Sequence, residues 1–211
     1  MNKTVELVNN WGDFEQKHPK GNIEDLCRHY LAKQAQQKVD GQLVGGVVPS
    51  FSEGLLLKII GRIQKLNMNY ANLALKGTDL NQIEEFGVMQ TIKKDKNPRK
   101  TDVIYANLLE LSSGTDMLTR LKKRGLITEY DDKEDKRSKR IVLTEKGEET
   151  IEAAKLRIFK NAKLLMNDLS EDDKALCIQL LKNIEIKFSE LWQKHKGKDF
   201  EEVYKEIIEP Q

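Results

Sequence analysis

The chain has 211 residues, which is enough for one large domain or two small domains with a hydrophobic core. Hydrophobic residues make up 38% and charged residues 33%, a composition typical of soluble, helix-rich proteins and not of membrane proteins. The net charge is only +2, but residues 91–147 hold 15 Lys and Arg against 10 Asp and Glu. This basic middle section favours a polyanion as partner.

The location of the protein is predicted from three features. The first residues lack the apolar core of a signal peptide, and no apolar run approaches the ~20 residues that span a bilayer. The two cysteines, Cys27 and Cys177, do not have the spacing of metal ligands. We therefore expect a cytoplasmic protein that has no contact with a membrane.

The first fifty residues predict two helices and a linker. Residues 2–17 have helical periodicity, and a second helix is predicted from Asn22, whose side chain can cap it. Three glycines and a proline in residues 40–50 predict a linker. We expect this extension to pack against later helices because its larger apolar residues need burial. These are Trp11, Phe14, Leu26 and Tyr30.

The next hundred residues predict four helices and a hairpin. A long amphipathic helix runs from Ser52 to about Leu75, and another covers about 81–93. Thr101 is predicted to cap a short helix, the SSG of residues 112–114 predicts a tight turn, and a further helix is predicted to begin near Thr115. Strand-like runs at 126–130 and 139–144 flank the stretch 131–140, in which nine of ten residues are charged, and they predict a β-hairpin.

The last part of the chain is predicted to be helical. One helix spans about 145–168, and a second runs to about His195 after Ser170 and Asp173, which form a capping-box pattern. A short helix covers roughly 200–208. The order helix, turn, helix, hairpin predicts a mainly α fold with a small β-hairpin wing, that is, a winged helix-turn-helix joined to further helices. The same order of elements also permits other small α+β modules.

Two segments resemble the MarR family of bacterial transcriptional regulators: RLKKRGLI at 120–127 and DKEDKRSKRIVLTEKG at 132–147. The residues that match the family pattern are Arg120, Leu121, Arg124, Gly125 and Leu126 in the first segment, and Asp132, Asp135, Arg137, Leu143, Thr144 and Gly147 in the second. The fixed spacings extend over about 28 residues, which makes them more specific than a cluster of charges alone.

The resemblance implies a domain organisation and a function. It implies an N-terminal helical extension at 1–50, a helical dimerisation region at 51–80 and 145–211, and a winged helix-turn-helix DNA-binding domain at 81–144. It further implies a homodimeric repressor that binds a pseudo-palindromic operator in double-stranded DNA and responds to a small-molecule effector. Many family members have a small apolar residue and then a basic one where this chain has Gly114 and Asp116, so the operator sequence is not implied.

The recognition helix of such a domain enters the major groove, where hydroxyl and carboxylate groups can bond base edges and basic groups can pair with phosphates. The candidate DNA-contacting residues are Ser112, Ser113, Thr115, Asp116, Thr119, Arg120 and Lys123. Asp116 has an alternative explanation as an acid near a helix start, stabilised by the helix dipole. Ser112 and Ser113 are likewise candidates for turn and cap residues, and Arg124 for a structural role.

For the wing, the resemblance implies that Arg137 reaches the minor groove while Asp135 holds the loop in shape. A narrow minor groove concentrates negative potential and favours an inserted arginine. Lys136 and Lys139 are candidates for the flanking phosphates, as is Arg140.

No pattern for catalysis, metal or cofactor binding is found, so we expect no enzyme activity. His18, His29 and His195 lack the spacing of a metal site. Cys27 lies upstream of the position, about Ser52, at which some family members sense oxidants, so we expect it to be a buried structural thiol. The alternative function is a protein-interaction module that uses its winged helix for assembly. A steep salt dependence of DNA binding would distinguish the regulator from this alternative.

Overall fold

The computed structural model describes residues 2–38, 43, 46–132, 135 and 138–209, with residues 34–38 described by their backbone only. The residues divide into two compact units, Met1–Leu55 and Leu56–Gln211. The elements of the described residues are α1 (Lys3–Lys17), α2 (Ile23–Lys38), α3 (Ser52–Ala74), α4 (Ile83–Asp95), α5 (Lys100–Ala106), α6 (Leu111–Lys123), β1 (Ile127–Asp131), β2 (Lys139–Leu143), α7 (Glu145–Leu165), α8 (Glu171–His195) and α9 (Phe200–Ile208).

The first unit contains a helical hairpin of α1 and α2. Asn22 caps α2 as predicted: its Oδ1 accepts the backbone N–H of Asp25, and Asp25 Oδ2 accepts that of Asn22, both at 3.0 Å. Phe14 of α1 and Leu26 of α2 are buried. Gly21 lies so close to Phe14 that a Cβ there would be 2.6 Å from the ring, so the turn between the helices requires glycine.

One expectation for this hairpin needs correction. Cys27 is exposed and not buried. It follows Leu26 directly, and one residue is a rotation of about 100° around a helix, which turns the thiol away from the buried side. Trp11 and Tyr30, for which burial was expected, are half-buried. Val5 and Val8 of α1 are exposed, the latter to 63%.

The hairpin also contains a ring cluster that the sequence did not predict. The imidazoles of His18 and His29 flank the Phe14 ring, with ring centroids 4.8 and 5.5 Å from it. These two histidines are eleven residues apart in sequence and meet only because α1 and α2 are antiparallel neighbours.

The core of the second unit lies among α4, α5, α6, the hairpin and the first half of α7. Leu121, Leu126, Ile141 and Ile151 are fully buried there. The hairpin is antiparallel, with Ile127 opposite Leu143 and Asp131 opposite Lys139. The predicted mainly α fold with a β-hairpin wing is confirmed.

The helix-turn-helix begins its second helix earlier than predicted. The chain reverses at residues 107–110, where Leu108 has φ +54°, and α6 then begins at Leu111 and not near Thr115. The SSG sequence therefore lies in the first turns of α6 and forms no tight turn. Gly114 is required for packing instead, because a Cβ at this position would be 2.7 Å from the Ile104 side chain of α5.

The start of α5 also differs from the prediction. The N-cap is Arg99, with extended φ and ψ, and not Thr101. The predicted cap at Ser170 is confirmed, and Thr144 forms a further cap that was not predicted. Thr144 accepts from the backbone N–H of Gly147 at 3.0 Å, and Ser170 accepts from that of Asp173 at 3.1 Å, so α7 and α8 both begin on side-chain caps.

Large apolar side chains are exposed along α3, α7 and α8. On α8, four of them recur every four residues and form one stripe: Leu180, Ile184, Phe188 and Trp192. On α3 the exposed side chains Ile63, Leu66, Tyr70 and Leu73 have helical spacing, and α7 adds Leu156, Phe159 and Leu164. Among the helices of the described residues, none combines the length and the apolar character needed to cross a membrane.

Candidate nucleic-acid interface

The recognition-helix candidate, α6, has two distinct faces. Its inner face buries Gly114, Met117, Leu118 and Leu121 against the core. Its outer face exposes the side chains of Ser112, Ser113, Asp116, Thr119, Arg120 and Lys123, while Thr115 is half-buried. Six of the seven candidate residues of α6 are therefore accessible to solvent.

The structure narrows the possible roles of two of these polar side chains, Asp116 and Thr119. Asp116 is the sixth residue of α6, and the first turn contains no acid, so its explanation as an acid at the helix start does not apply. The hydroxyl of Thr119 donates to the backbone oxygen of Thr115 at 2.8 Å, an intrahelical bond that a base contact has to replace or share.

The end of α6 is attached to the domain by Arg124. Its Nη2 donates to Oε1 of Glu85 at 2.6 Å, and its Nη1 donates to the backbone oxygen of Asp79. Glu85 is only 1% exposed, and its second carboxylate oxygen accepts the backbone N–H of Asn81 at 2.8 Å. The Arg124 guanidinium is thus directed toward the protein, and its role is structural.

A second structural ion pair joins α6 to the wing. Glu129 of β1 accepts from Lys122 at 2.8 Å and lies 3.4 Å from Lys100 of α5. The hydrogen bond from Lys122 lowers the pKa of Glu129 below its ordinary value, with a further contribution from the charge of Lys100, and partial burial opposes the shift. Glu129 therefore stays ionised and compensates two cations beside the candidate interface.

The base of the wing is held by a buried acid that the sequence did not predict. Asp132 Oδ2 accepts from Arg140 Nε at 2.7 Å and from Arg99 Nε at 3.3 Å, and the side chain of Asp132 is 1% exposed. Arg140 Nη1 also donates to the backbone oxygen of Asn97 at 2.9 Å. Arg140, a candidate for a flanking phosphate, therefore has its guanidinium bonded within the domain.

The tip of the wing is described only in part. Asp135 accepts from Ser138 twice, through its backbone oxygen from the N–H and through Oδ2 from the hydroxyl, each at 2.8 Å. Lys136 and Arg137 lie outside the described residues. Lys139 pairs with Asp131 across the two strands, and this hydrogen bond raises the pKa of Lys139. A phosphate contact by Lys139 has to compete with Asp131.

No group of three or more His, Cys, Asp or Glu side chains suited to holding a metal ion occurs in the described part of the chain. The candidate site is therefore a surface of hydroxyls, one carboxylate and basic groups on α6, beside a charged hairpin. Its chemistry is suited to contacts with base edges and phosphates.

No protein-family model matches the chain, and no curated protein matches it in sequence. Solved structures match its fold. The PcaV transcriptional regulator from Streptomyces coelicolor, in complex with its natural ligand, has a TM-score of 0.57 at 17% identity, with 68% of this chain and 97% of that chain covered. A mutant MarR from E. coli complexed with operator DNA has a TM-score of 0.58 at 22% identity, with 61% and 92% covered. This is the MarR-type fold.

A third structure of the MarR-type fold is that of BpsR from Bordetella bronchiseptica, a protein whose DNA binding is regulated by 6-hydroxynicotinic acid. It is 17% identical, with a TM-score of 0.57 and coverage of 62% of this chain and 98% of that one. The MarR-type fold thus spans nearly the whole of each of these proteins and about two thirds of this chain.

Proposed function

We propose that the chain is a DNA-binding transcriptional regulator of the MarR family that acts in the cytoplasm as a homodimeric repressor. The observation that carries this proposal is the outer face of α6, where accessible hydroxyl, carboxylate and basic groups lie beside a charged wing in a MarR-type fold. Residues 81–144 form the DNA-binding domain in this proposal.

In this proposal α6 enters the major groove. Ser113, Asp116 and Thr119 contact base edges, while Arg120 and Lys123 pair with phosphates. Arg137 at the wing tip enters the adjacent minor groove, where the electrostatic potential is most negative. The ion pairs at Arg124 and Asp132 contribute by fixing the ends of α6 and the base of the wing.

Dimerisation is supported by the exposed apolar side chains of residues 51–80 and 145–211. The apolar stripe that includes Leu180, Ile184 and Phe188 is unfavourable when exposed to water. Burying it in a dimer interface would contribute about 25 cal/mol of favourable free energy per Å² of apolar surface. A two-fold dimer would bind half-sites about one helical turn, ~10 bp, apart in a pseudo-palindromic operator.

A small-molecule effector is part of the proposal. An open cleft of about 480 Å³ lies between α3 and α7, with Tyr70 and Leu73 on one side and Arg157 and Lys160 on the other. An aromatic ring, apolar groups and the exposed Lys160 suit a small organic anion, while Nη1 of Arg157 donates to the backbone oxygens of Ala74 and Lys76. PcaV was crystallised with its natural ligand, and BpsR is described as regulated by 6-hydroxynicotinic acid.

The test is DNA binding measured against salt. The full-length protein is titrated into a fluorescently labelled fragment of its own promoter region, and affinity is measured by anisotropy from 50 to 200 mM salt. We expect a fall of roughly 10³-fold or more, because each neutralised phosphate releases counterions. Absence of binding at low salt, or binding with little salt dependence, would contradict the proposal and favour a protein-interaction module.

A further inference from the structure

A basic corner joins α8 to α9, at residues 194–198 with the sequence KHKGK. α8 ends at His195, and Gly197 has φ +89°, a left-handed conformation that reverses the chain at little cost only in glycine. The backbone N–H of Lys198 donates to the oxygen of His195 at 2.9 Å and closes the corner.

The corner is a built structure and not a loose chain end. His195 is buried, with its Nε2 3.3 Å from Oε1 of Glu206 on α9. Lys198 donates to Oε2 of the same glutamate at 2.8 Å and lies 3.4 Å from Glu202. These bonds hold α9 against the end of α8, so the backbone of the intervening Lys196 is held between the two helices.

Lys196 extends from this corner to the start of α6. Its Nζ lies 3.1 Å from Oε2 of Glu110, the N-cap residue of α6, and 5.7 Å from the ring centroid of Tyr105 on α5. The N-terminal part of a recognition helix is the part that lies closest to the bases. A lysine held beside it is therefore close to the phosphates that border the major groove.

We propose that Lys196 is a third DNA-contacting element, separate from α6 and the wing, which pairs with an operator phosphate. In free protein its ammonium pairs with Glu110, whose side chain is 64% exposed. On DNA a phosphate replaces the Glu110 carboxylate as the partner of Lys196, because the long lysine side chain can turn from the carboxylate to the phosphate. Its ammonium group therefore makes a charge-assisted hydrogen bond both in the free protein and in the complex. This inference rests on the proposed DNA-binding function.

The test uses the full-length protein and its promoter fragment. Lys196→Gln should lower affinity about threefold to tenfold at 100 mM salt and reduce the slope of log K against log salt by about 0.9 per subunit. Lys196→Arg should keep the wild-type slope. The matched control is Lys182→Gln, which removes the same charge about 20 Å farther back along α8 and should leave the slope unchanged.

A purely structural link between Lys196 and Glu110 gives a different result. If the pair only orients α6, Glu110→Gln and Lys196→Gln should both weaken binding. If Lys196 contacts phosphate, Glu110→Gln should strengthen binding about twofold to fivefold, because the lysine loses its competing partner and the phosphate loses a nearby carboxylate. Loss of affinity in both variants, or a wild-type slope in Lys196→Gln, overturns the inference. Wild-type protein that binds no DNA overturns the proposed function itself.

Discussion

Arg124 at the end of α6 donates to the carboxylate of Glu85 at the start of α4, with 2.6 Å between Nη2 and Oε1. The two residues are 39 positions apart in sequence, and Glu85 is almost completely buried. This ion pair fixes the end of the recognition-helix candidate to the rest of its domain.

Arg124→Ala should destabilise the protein by about 3–5 kcal/mol, because it leaves the Glu85 carboxylate buried without a countercharge. The measurement is urea unfolding followed by circular dichroism. Glu85→Gln in the Arg124→Ala background is the control, since it removes the uncompensated charge and should recover part of the loss. An Arg124→Ala variant as stable as wild type would contradict the structural role of this arginine.

Gly114→Ala should also be destabilising, by about 1–3 kcal/mol, because the new methyl group would lie 2.7 Å from the Ile104 side chain. In an exposed helix the same change stabilises by about 1 kcal/mol, so the predicted sign is opposite to that of helix propensity. The thermal unfolding midpoint measures the effect. Ile104→Ala removes the side-chain carbons that the new methyl group would meet, so combined with Gly114→Ala it should cost less than the sum of the two single changes.

If the chain binds DNA as a dimer, as proposed, Arg137→Ala should weaken operator binding at least tenfold and leave the dimer intact, because it removes the proposed minor-groove contact. Anisotropy gives the affinity, and light scattering gives the mass. Arg137→Lys keeps the charge but not the planar guanidinium, and it should have an intermediate affinity. Wild-type affinity in Arg137→Ala would remove this residue from the interface.

If the chain dimerises and binds an operator as proposed, Ile184→Glu should convert the dimer to a monomer and abolish operator binding, because it places a charge in the middle of the apolar stripe on α8. Sedimentation velocity measures the change in mass. Asn183→Glu introduces the same charge at the neighbouring position of the helix and should leave the dimer intact. A dimeric Ile184→Glu variant would indicate that another surface pairs the subunits.

Glu129→Gln should lower stability by roughly 0.5–1 kcal/mol at pH 7, the range of a partly exposed ion pair. The pKa of Glu129 is lowered in the folded protein, so its contribution is fully present above the ordinary value of 4.5 and is lost as the pH falls through the folded-state value. The difference between variant and wild type in urea unfolding should therefore persist from pH 7 to 5 and shrink below pH 4. A difference that grows with acid would contradict this assignment.

The sequence predicted the parts of the fold that local rules determine. The side-chain caps at Asn22 and Ser170 and the two strands of the hairpin all follow from residue type and spacing. The start of α6 did not, because the chain reverses at Leu108, a residue type that rarely adopts positive φ, while the SSG that resembles a turn is helical. Whether SSG forms a turn or the start of a helix depends here on the packing of Gly114 against Ile104, which joins two helices and does not follow from local sequence.

In the candidate site, too, the sequence predicted local features and did not predict contacts between distant elements. The exposed face of α6 follows from helical periodicity, and most of its predicted residues are accessible. The ion pairs Arg124–Glu85 and Arg140–Asp132, and the approach of Lys196 to Glu110, join elements that are distant in sequence. A count of basic residues could not separate the cations that are bonded inward from those that remain directed outward.

The buried Asp132 connects two parts of the interface. It bonds Arg140 of the wing and Arg99 at the start of α5, and the backbone N–H of Ile141 donates to the oxygen of Pro98 beside them. If the chain binds DNA as proposed, the wing and the helix-turn-helix cannot shift independently, so the distance between the two groove contacts is set by the protein. The affinity for DNA then depends on local twist and groove width at base pairs that no side chain touches. The protein would therefore recognise the shape of its operator as well as its sequence.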